Sequence, residues 1–593
     1  MTITTETATD PDDDSTGSTF SVGNSTAGRI YIVVGGVYIV ASLLLFHSIW
    51  LHGLASSEPS MFTGDFGIGV INMGWIPFAS LHLKNPLYSG YEFAPYGFNT
   101  MGTPGMFVQS FVMAPITLLF GPVASDNLAV ILTPVISAFS AFVVYFKITK
   151  YPLGAFVAAS SVGFSPAILN DATFSLFQVG WEFAPPVIFY IYYKVITASN
   201  RSPYRYGIWL GVLLTLQFYA SLEVFATLLF WGCTLGVIAL IINYPTVKYK
   251  LKDLIVVTSV AVVLTSVTTG YAAYFFAYGP GHALSNNGSI HNSEFAMSIS
   301  DLLFARNSSF NSINIFSIHF TYIAVPILLV AMVVLRVRQV WQSKLARYCL
   351  VFAGILMVST LGTEITLLPD VSVVPNPIHL FLNSLPIISQ AIFGRFIYFA
   401  LFLIGIPVIT VLQNISRFGK SRFSNIPIKG IIVTFLIANI VVLTLSTYTS
   451  RQTIPTGGNL STGKQIPKDA IVYEYPAGDI VNGPPLIYLS QSGFRYRITS
   501  GYGTNDLAHK ITDTAPADPL TNFLYIFHLN QMPPSESTMQ KIYRYITTSH
   551  VGCIIVSQAI HHKSAVKAIT YLYGRPEAIT NNAQWCSLGS IGG

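Results

Sequence analysis

Charge is what this chain lacks. Only 9% of its 593 residues are Asp, Glu, Lys or Arg, against about a quarter for an ordinary soluble domain. So little charge excludes a water-soluble globular protein of this length. Cysteine is scarce as well. The four residues Cys233, Cys349, Cys553 and Cys586 have no spacing that suits a metal site. No positively charged segment with a cleavage site precedes the first apolar run, so that run is expected to remain as an anchor. Phosphate-binding glycine loops, dinucleotide fingerprints and nucleophile elbows are missing, and no internal repeat stands out. These absences weigh against a cytosolic nucleotide substrate, and no nucleic-acid partner is expected. The formal net charge of +6 says little; the placement of the charges says more.

What the chain has is apolar length. It is 52% hydrophobic with a mean hydropathy of +0.56, and many runs approach the roughly 20 residues needed to cross a bilayer. Spanning helices are predicted near 28–50, 128–146, 152–169, 180–198, 206–220, 222–243, 254–277, 319–336, 346–361, 391–412 and 428–447. The run 107–120 is short and contains Pro115, which predicts a helix lying along the membrane interface. Sixteen of the 31 basic residues gather in five loops: Lys147 and Lys150; Lys194, Arg201 and Arg205; Lys248, Lys250 and Lys252; Arg336, Arg338, Lys344 and Arg347; Arg417, Lys420, Arg422 and Lys429. The positive-inside rule makes those loops cytoplasmic. The N-terminus is then inside and the C-terminus outside. Of twelve acids between residues 28 and 450, all but Asp253 fall on the outer side or its edge.

The expected fold class is therefore mainly α: a polytopic membrane protein of about eleven transmembrane helices with a C-terminal extracytoplasmic α/β domain. Residues 1–27, with Asp10 and Asp12 to Asp14, read as a disordered cytoplasmic tail, and 28–450 as the transmembrane domain. From 451 to 593 the composition is that of a soluble domain. Strand patterns near Ala470–Val472 and Val551–Val556 alternate with helical ones at 539–548 and 565–573. Cys553 and Cys586 both lie there, and would either pair in an oxidising compartment or stay as buried thiols.

The first outer loop, 51–127, is the most informative segment. Asp65 lies about fifteen residues past the first apolar run, and a carboxylate at the membrane edge is a functional-site hypothesis by default. Trp75, His82, Asn85-Pro86-Leu87, Tyr91-Glu92-Phe93, Pro95-Tyr96-Gly97 and Phe120-Gly121-Pro122 follow. Pro and Gly at such intervals predict fixed turns, with aromatics anchoring them at headgroup level. Glu182 and Glu223 sit in or beside apolar runs, where an unpaired charge costs several kcal/mol, so each needs a partner or a wet cavity. Outer basic residues in the membrane part are few: Lys84, Arg306 and Arg395. His47, His52 and His82 lack ligand-like spacing, and interfacial packing suits them better.

The order of these features resembles the GT-C glycosyltransferases, polytopic enzymes that use polyprenyl-phosphate sugars. The likeness is to actinobacterial arabinofuranosyl- and mannosyltransferases. It rests on Asp65, Asn85-Pro86-Leu87, Pro95-Tyr96-Gly97, the 107–121 stretch, Gly163-Phe164-Ser165-Pro166, Pro185-Pro186, Gln217-Phe218 with Ser221 and Glu223, and Leu385-Pro386 ahead of Arg395-Phe396. The resemblance implies transfer, with inversion, of a sugar from a polyprenyl-phosphate donor to a cell-envelope glycan, lipid or protein acceptor. Asp65 would be the general base. Asp171, Glu182 and Glu223 would be candidates for a second acid, for the acceptor or for a divalent cation such as Mg or Mn. Arg395 and Arg306 would face the donor phosphate. The competing class is a membrane transporter or lipid-glycan flippase, which would more often show a repeat and polar, broken helices at the midplane.

Overall fold

The computed structural model describes residues 24–58, 63–102, 105–197, 202–280, 337–368, 371–385, 388–422, 454–455, 466–476, 483–501, 504–505, 510–511, 518–557, 562–579 and 582–586. The expected spans at 319–336 and 428–447, and Arg306, lie outside the described residues. Helices occupy the remaining predicted spans. Among the described residues five are long and apolar enough to cross a membrane: Ala27–Leu45, Pro122–Thr149, Leu222–Ile242, Lys248–Tyr278 and Phe393–Asn414. Ala184–Thr197, Pro203–Ala220 and Lys344–Thr360 fall short in length or apolar content. The chain is a mainly helical, multi-pass membrane protein.

The run predicted as one helix over 152–169 is broken. Pro152–Gly163 and Ala167–Thr173 meet at 46°. At the break Gly163 lies against the backbone of Pro134 and Ala138, where a Cβ would collide. Ser165 then caps the second helix, accepting from the Ile168 amide at 3.4 Å, and Pro166 opens it.

The 51–127 segment is far more helical than its turn residues imply. It holds a 19-residue helix, Thr63–Leu81, with Pro77 inside it, and the shorter Phe107–Phe120 helix. Gly67, Gly69, Gly74 and Pro77 are poor helix formers, so tertiary packing sustains the longer one. Pro484–Gln491 of the C-terminal part lies along it. A Cβ on Gly67 would stand 2.7 Å from the Gly483 Cα, so the two backbones touch. Three residues further along, the Ser490 hydroxyl donates to the Val70 carbonyl at 3.0 Å.

The C-terminal part is built on a five-stranded sheet. In order across it run Ala578–Ile579, Ala583–Trp585, Val551–Val556, Ile471–Tyr475 and Arg497–Ile498. Val551–Val556 pairs parallel with Ile471–Tyr475 and antiparallel with Ala583–Trp585. Alternation along the strands gives the sheet two apolar faces. Ile471, Tyr473, Ile554 and Val556 pack under helices Pro519–Asn530, Glu536–Thr548 and His562–Tyr573. Val472, Ile498, Cys553 and Ile555 pack instead with Ile71, Trp75 and Ile76 of the Thr63–Leu81 helix. The 51–127 segment also extends the sheet's edge. Ile498 donates to Tyr91 at 2.8 Å, and Ala94 donates back to Ile498 at 2.9 Å. Cys553 and Cys586 form a disulfide.

Candidate active site

Asp65 occupies the first turn of the Thr63–Leu81 helix, half-buried, where the helix dipole favours negative charge. Four residues on, the same face carries Gly69, and the space its missing side chain leaves is filled by the Asp126 carboxyl. Asp126 comes from the first turns of the Pro122–Thr149 helix. It is fully buried, and neither of its oxygens completes a hydrogen bond within the protein. The Ser175 hydroxyl is a polar neighbour of its carboxyl. Two carboxylates thus flank one turn of helix at the end of an apolar span. Sequence reasoning missed Asp126, although Ser125-Asp126-Asn127 directly after Phe120-Gly121-Pro122 is a polar triplet opening an apolar run and was a readable signal.

A second group forms around Arg395. Its guanidinium pairs with the Glu223 carboxylate and lies 3.9 Å from Asp171 Oδ2. The Tyr398 hydroxyl donates to the same Asp171 oxygen. The second Glu223 oxygen accepts from the Ile392 amide at 3.0 Å. The elements explain the convergence: Asp171 sits in the helix after the Gly163 break, Glu223 in the first turn of Leu222–Ile242, and Arg395 just before Ile397–Arg422. Each is a helix end at one level of the bundle. Glu182 is buried nearby and within electrostatic reach of Asp171. Its amide donates to Ser137 at 3.1 Å, while its Oε1 has no hydrogen-bond partner.

Of the residues singled out by sequence, the fold therefore joins Asp171, Glu223 and Arg395 directly, with Glu182 beside them. Asp65 belongs to the other group. The Pro122–Thr149 helix links the two: Asp126 faces the Asp65 helix, and Thr133, seven residues and roughly 10 Å further along, packs against Gly180 beside Asp171. Among the described residues no three His, Cys, Asp or Glu side chains are arranged to hold a metal ion. Asp171, expected with Glu182 and Glu223 as a candidate for a second acid, for the acceptor or for a divalent cation, is engaged by Arg395 and Tyr398.

Two further carboxyls are buried outside the spans. Glu92 faces a cavity with room for about one water, lined by Ile68, Ile71, Asn72, Trp75, Phe98 and Thr100. Burial pushes its carboxyl up to about 8, against the opposing hydrogen bond from Ser89. Glu474, on the central strand Ile471–Tyr475, accepts from the Tyr496 hydroxyl at 3.1 Å. Burial raises it likewise to about 8.

No family model and no curated protein sequence matches this chain. Among solved structures, similar ones include the arabinofuranosyltransferase AftD from Mycobacteria, at 14% identity and a TM-score of 0.48, covering 89% of this chain and 35% of that one. The apo oligosaccharyltransferase of Archaeoglobus fulgidus is 10% identical with a TM-score of 0.47, over 92% of this chain and 72% of its own. Apo ArnT from Cupriavidus metallidurans is 11% identical with a TM-score of 0.48, over 94% and 98%. All three are GT-C superfamily members. The chain spans about a third of the length of the mycobacterial enzyme.

Proposed function

We propose that this chain is an integral membrane glycosyltransferase that moves a sugar from a polyprenyl-phosphate donor to a cell-envelope acceptor at the outer face. The observation that carries the reading is Asp65 on a helix held between the membrane part and the C-terminal sheet, one turn from a second, buried acid. Asp65 accepts the acceptor's hydroxyl proton as that oxygen attacks the anomeric carbon. The bond from that carbon to the phosphate oxygen breaks, and its electron pair leaves on the polyprenyl phosphate, inverting the centre. Arg395 and Arg306 are the proposed neutralisers of that charge, because a guanidinium matches phosphate with a planar fork. Arg395 is already engaged by Asp171 and Glu223. Donor binding would exchange the Glu223 contact, the more exposed of the two, for phosphate. Asp171 and Glu223 then serve to hold and aim Arg395, with Glu182 as a reserve acid next to them.

The outward orientation is part of the proposal. It rests on the distribution of basic loops and on the Cys553–Cys586 disulfide, since disulfides persist in oxidising compartments. The deciding experiment is transfer by the purified chain in liposomes, supplied with polyprenyl-phosphate mannose or arabinofuranose. Asp65→Asn keeps the shape but cannot take the proton, so turnover should fall by a factor of about 100 to 10,000 with melting temperature unchanged. Full activity of that variant removes Asp65 from the mechanism. Movement of the lipid between leaflets without any sugar transfer by the wild type would favour a flippase instead.

A further inference from the structure

Three uncharged polar side chains are buried close to where the Phe107–Phe120 helix crosses the end of the Pro203–Ala220 helix. Gln109, Ser110 and Gln217 are all fully buried. Gln109 Nε2 donates to the Ala220 carbonyl at 3.2 Å, which ties the crossing together. Its Oε1, the Ser110 hydroxyl and both amide atoms of Gln217 have no hydrogen-bond partner. Gln217 and Ala220, three residues apart, share a face of their helix. Buried polar atoms in folded proteins are nearly always paired, so four orphans at one crossing imply a missing partner.

The chemistry of the set narrows that partner. It offers acceptors and donors together, whichever way each amide is turned. None of the three side chains is charged, so neither an anion nor a cation is favoured. A hydroxyl-bearing molecule, whose groups both donate and accept, fits. Position narrows it further. The Ser221 amide donates to the Gln217 carbonyl at 2.9 Å, and Ser221 caps the next helix through the Val224 amide at 3.3 Å. The first turn of that helix presents Glu223 to Arg395. The crossing is thus one helix end away from the guanidinium proposed to meet the donor phosphate.

We propose that Gln109, Ser110 and Gln217 bind the hydroxyls of the donor's sugar and discriminate among sugars. The proposal rests on the glycosyltransferase reading for the identity of the ligand, though not for the site itself. Access requires the Phe107–Phe120 helix to lift from the crossing. Its other side is exposed and apolar, with Phe111, Leu119 and Phe120, so lifting it means opening its packing against Thr63–Leu81 and Pro122–Thr149 and not against a further layer of protein.

The test uses the full chain in nanodiscs, titrated with polyprenyl phosphate and with the same lipid carrying mannose or arabinofuranose. The wild type should bind one glycosylated lipid more tightly than the bare phosphate. Gln217→Leu should reduce that difference about tenfold or more, because a site built for hydroxyls loses its pairing. Bare-lipid affinity should not change, and melting temperature should hold or rise, since orphan polar atoms are removed. Should Gln217→Leu fail to fold, Gln217→Met and Ser110→Ala carry the same readout. An unchanged sugar preference in the folded variants overturns the proposal and leaves a buried-water site. If the wild type binds no polyprenyl lipid at all, the donor reading fails. Titration with octyl glycosides then decides the crossing independently: binding weakened in Gln217→Leu sustains it, and no such weakening ends it.

Discussion

Arg395 shows how a residue's surroundings alter the meaning of a substitution. A lone outer arginine could snorkel to headgroups or clamp a phosphate, and alanine at that position would then leave stability nearly untouched. With Asp171 and Glu223 both leaning on it, Arg395→Ala leaves the buried Asp171 and the half-buried Glu223 without their shared cation. A loss of several kcal/mol of stability is expected, as when one partner of a buried pair is removed. Arg395→Lys keeps the charge but not the fork that serves two carboxylates at once. It should fold, melt somewhat earlier, and bind polyprenyl phosphate more weakly than wild type. Melting curves together with lipid titration separate the two contributions. Lys-variant affinity equal to wild type would confine Arg395 to a structural role.

At the scale of elements, the Thr63–Leu81 helix is the piece on which the site depends. Its glycines, read singly, signal turns; in place, Gly67, Gly69 and Gly74 mark close approaches. Gly67→Ala would force a methyl group to within 2.7 Å of the Gly483 Cα, and backbone cannot swing aside as a side chain would. The helix and the C-terminal part must separate, at about 1–3 kcal/mol for an overpacked contact. Activity should fall with it, because Asp65 lies two residues away. A melting temperature and turnover equal to wild type would mean that the Pro484–Gln491 contact does not position the site. The same logic explains why the 152–169 run breaks: Gly163 permits a crossing against Pro134 and Ala138 that a continuous helix could not reach.

At the scale of the whole molecule, the C-terminal part and the membrane part share one apolar layer, and that layer contains acids. Glu92 and Glu474 each hold their proton up to about pH 8 when folded, but release it near 4.5 when unfolded. Between those values the unfolded chain binds fewer protons, so stability falls as pH rises from about 4.5 to about 8 and levels off above that. The slope is at most about 1.4 kcal/mol per pH unit for each group. Melting temperatures between pH 5 and 9 should show the decline, and Glu474→Gln should flatten part of it. A flat profile in the wild type would refute the argument. Topology is tested separately. Ser500→Cys, beside the edge strand, should react with an impermeant thiol reagent on intact cells; labelling only after the membrane is opened would reverse the orientation.

Composition and run length alone determined that this chain lives in a membrane and crosses it several times. Apolar burial in a bilayer depends on local length and hydropathy, not on which helix meets which. Past residue 466 the strands near 471 and 551 and the helices near 539 and 565 were legible for the same reason, since such periodicity is a local property, while Pro484–Gln491, Pro519–Asn530 and the remaining strands were not read. The long helix of the first outer loop was not, because its own residues disfavour it and only the C-terminal part laid along it makes it stable. Asp65 was visible as a charge in a poor place for charge. Its neighbour Asp126 was decided by tertiary structure, through a glycine gap on another helix. The pairing of Arg395 with Asp171 and Glu223 joins positions more than 170 residues apart. Such a contact is set by the geometry of three helix ends, which no local pattern encodes.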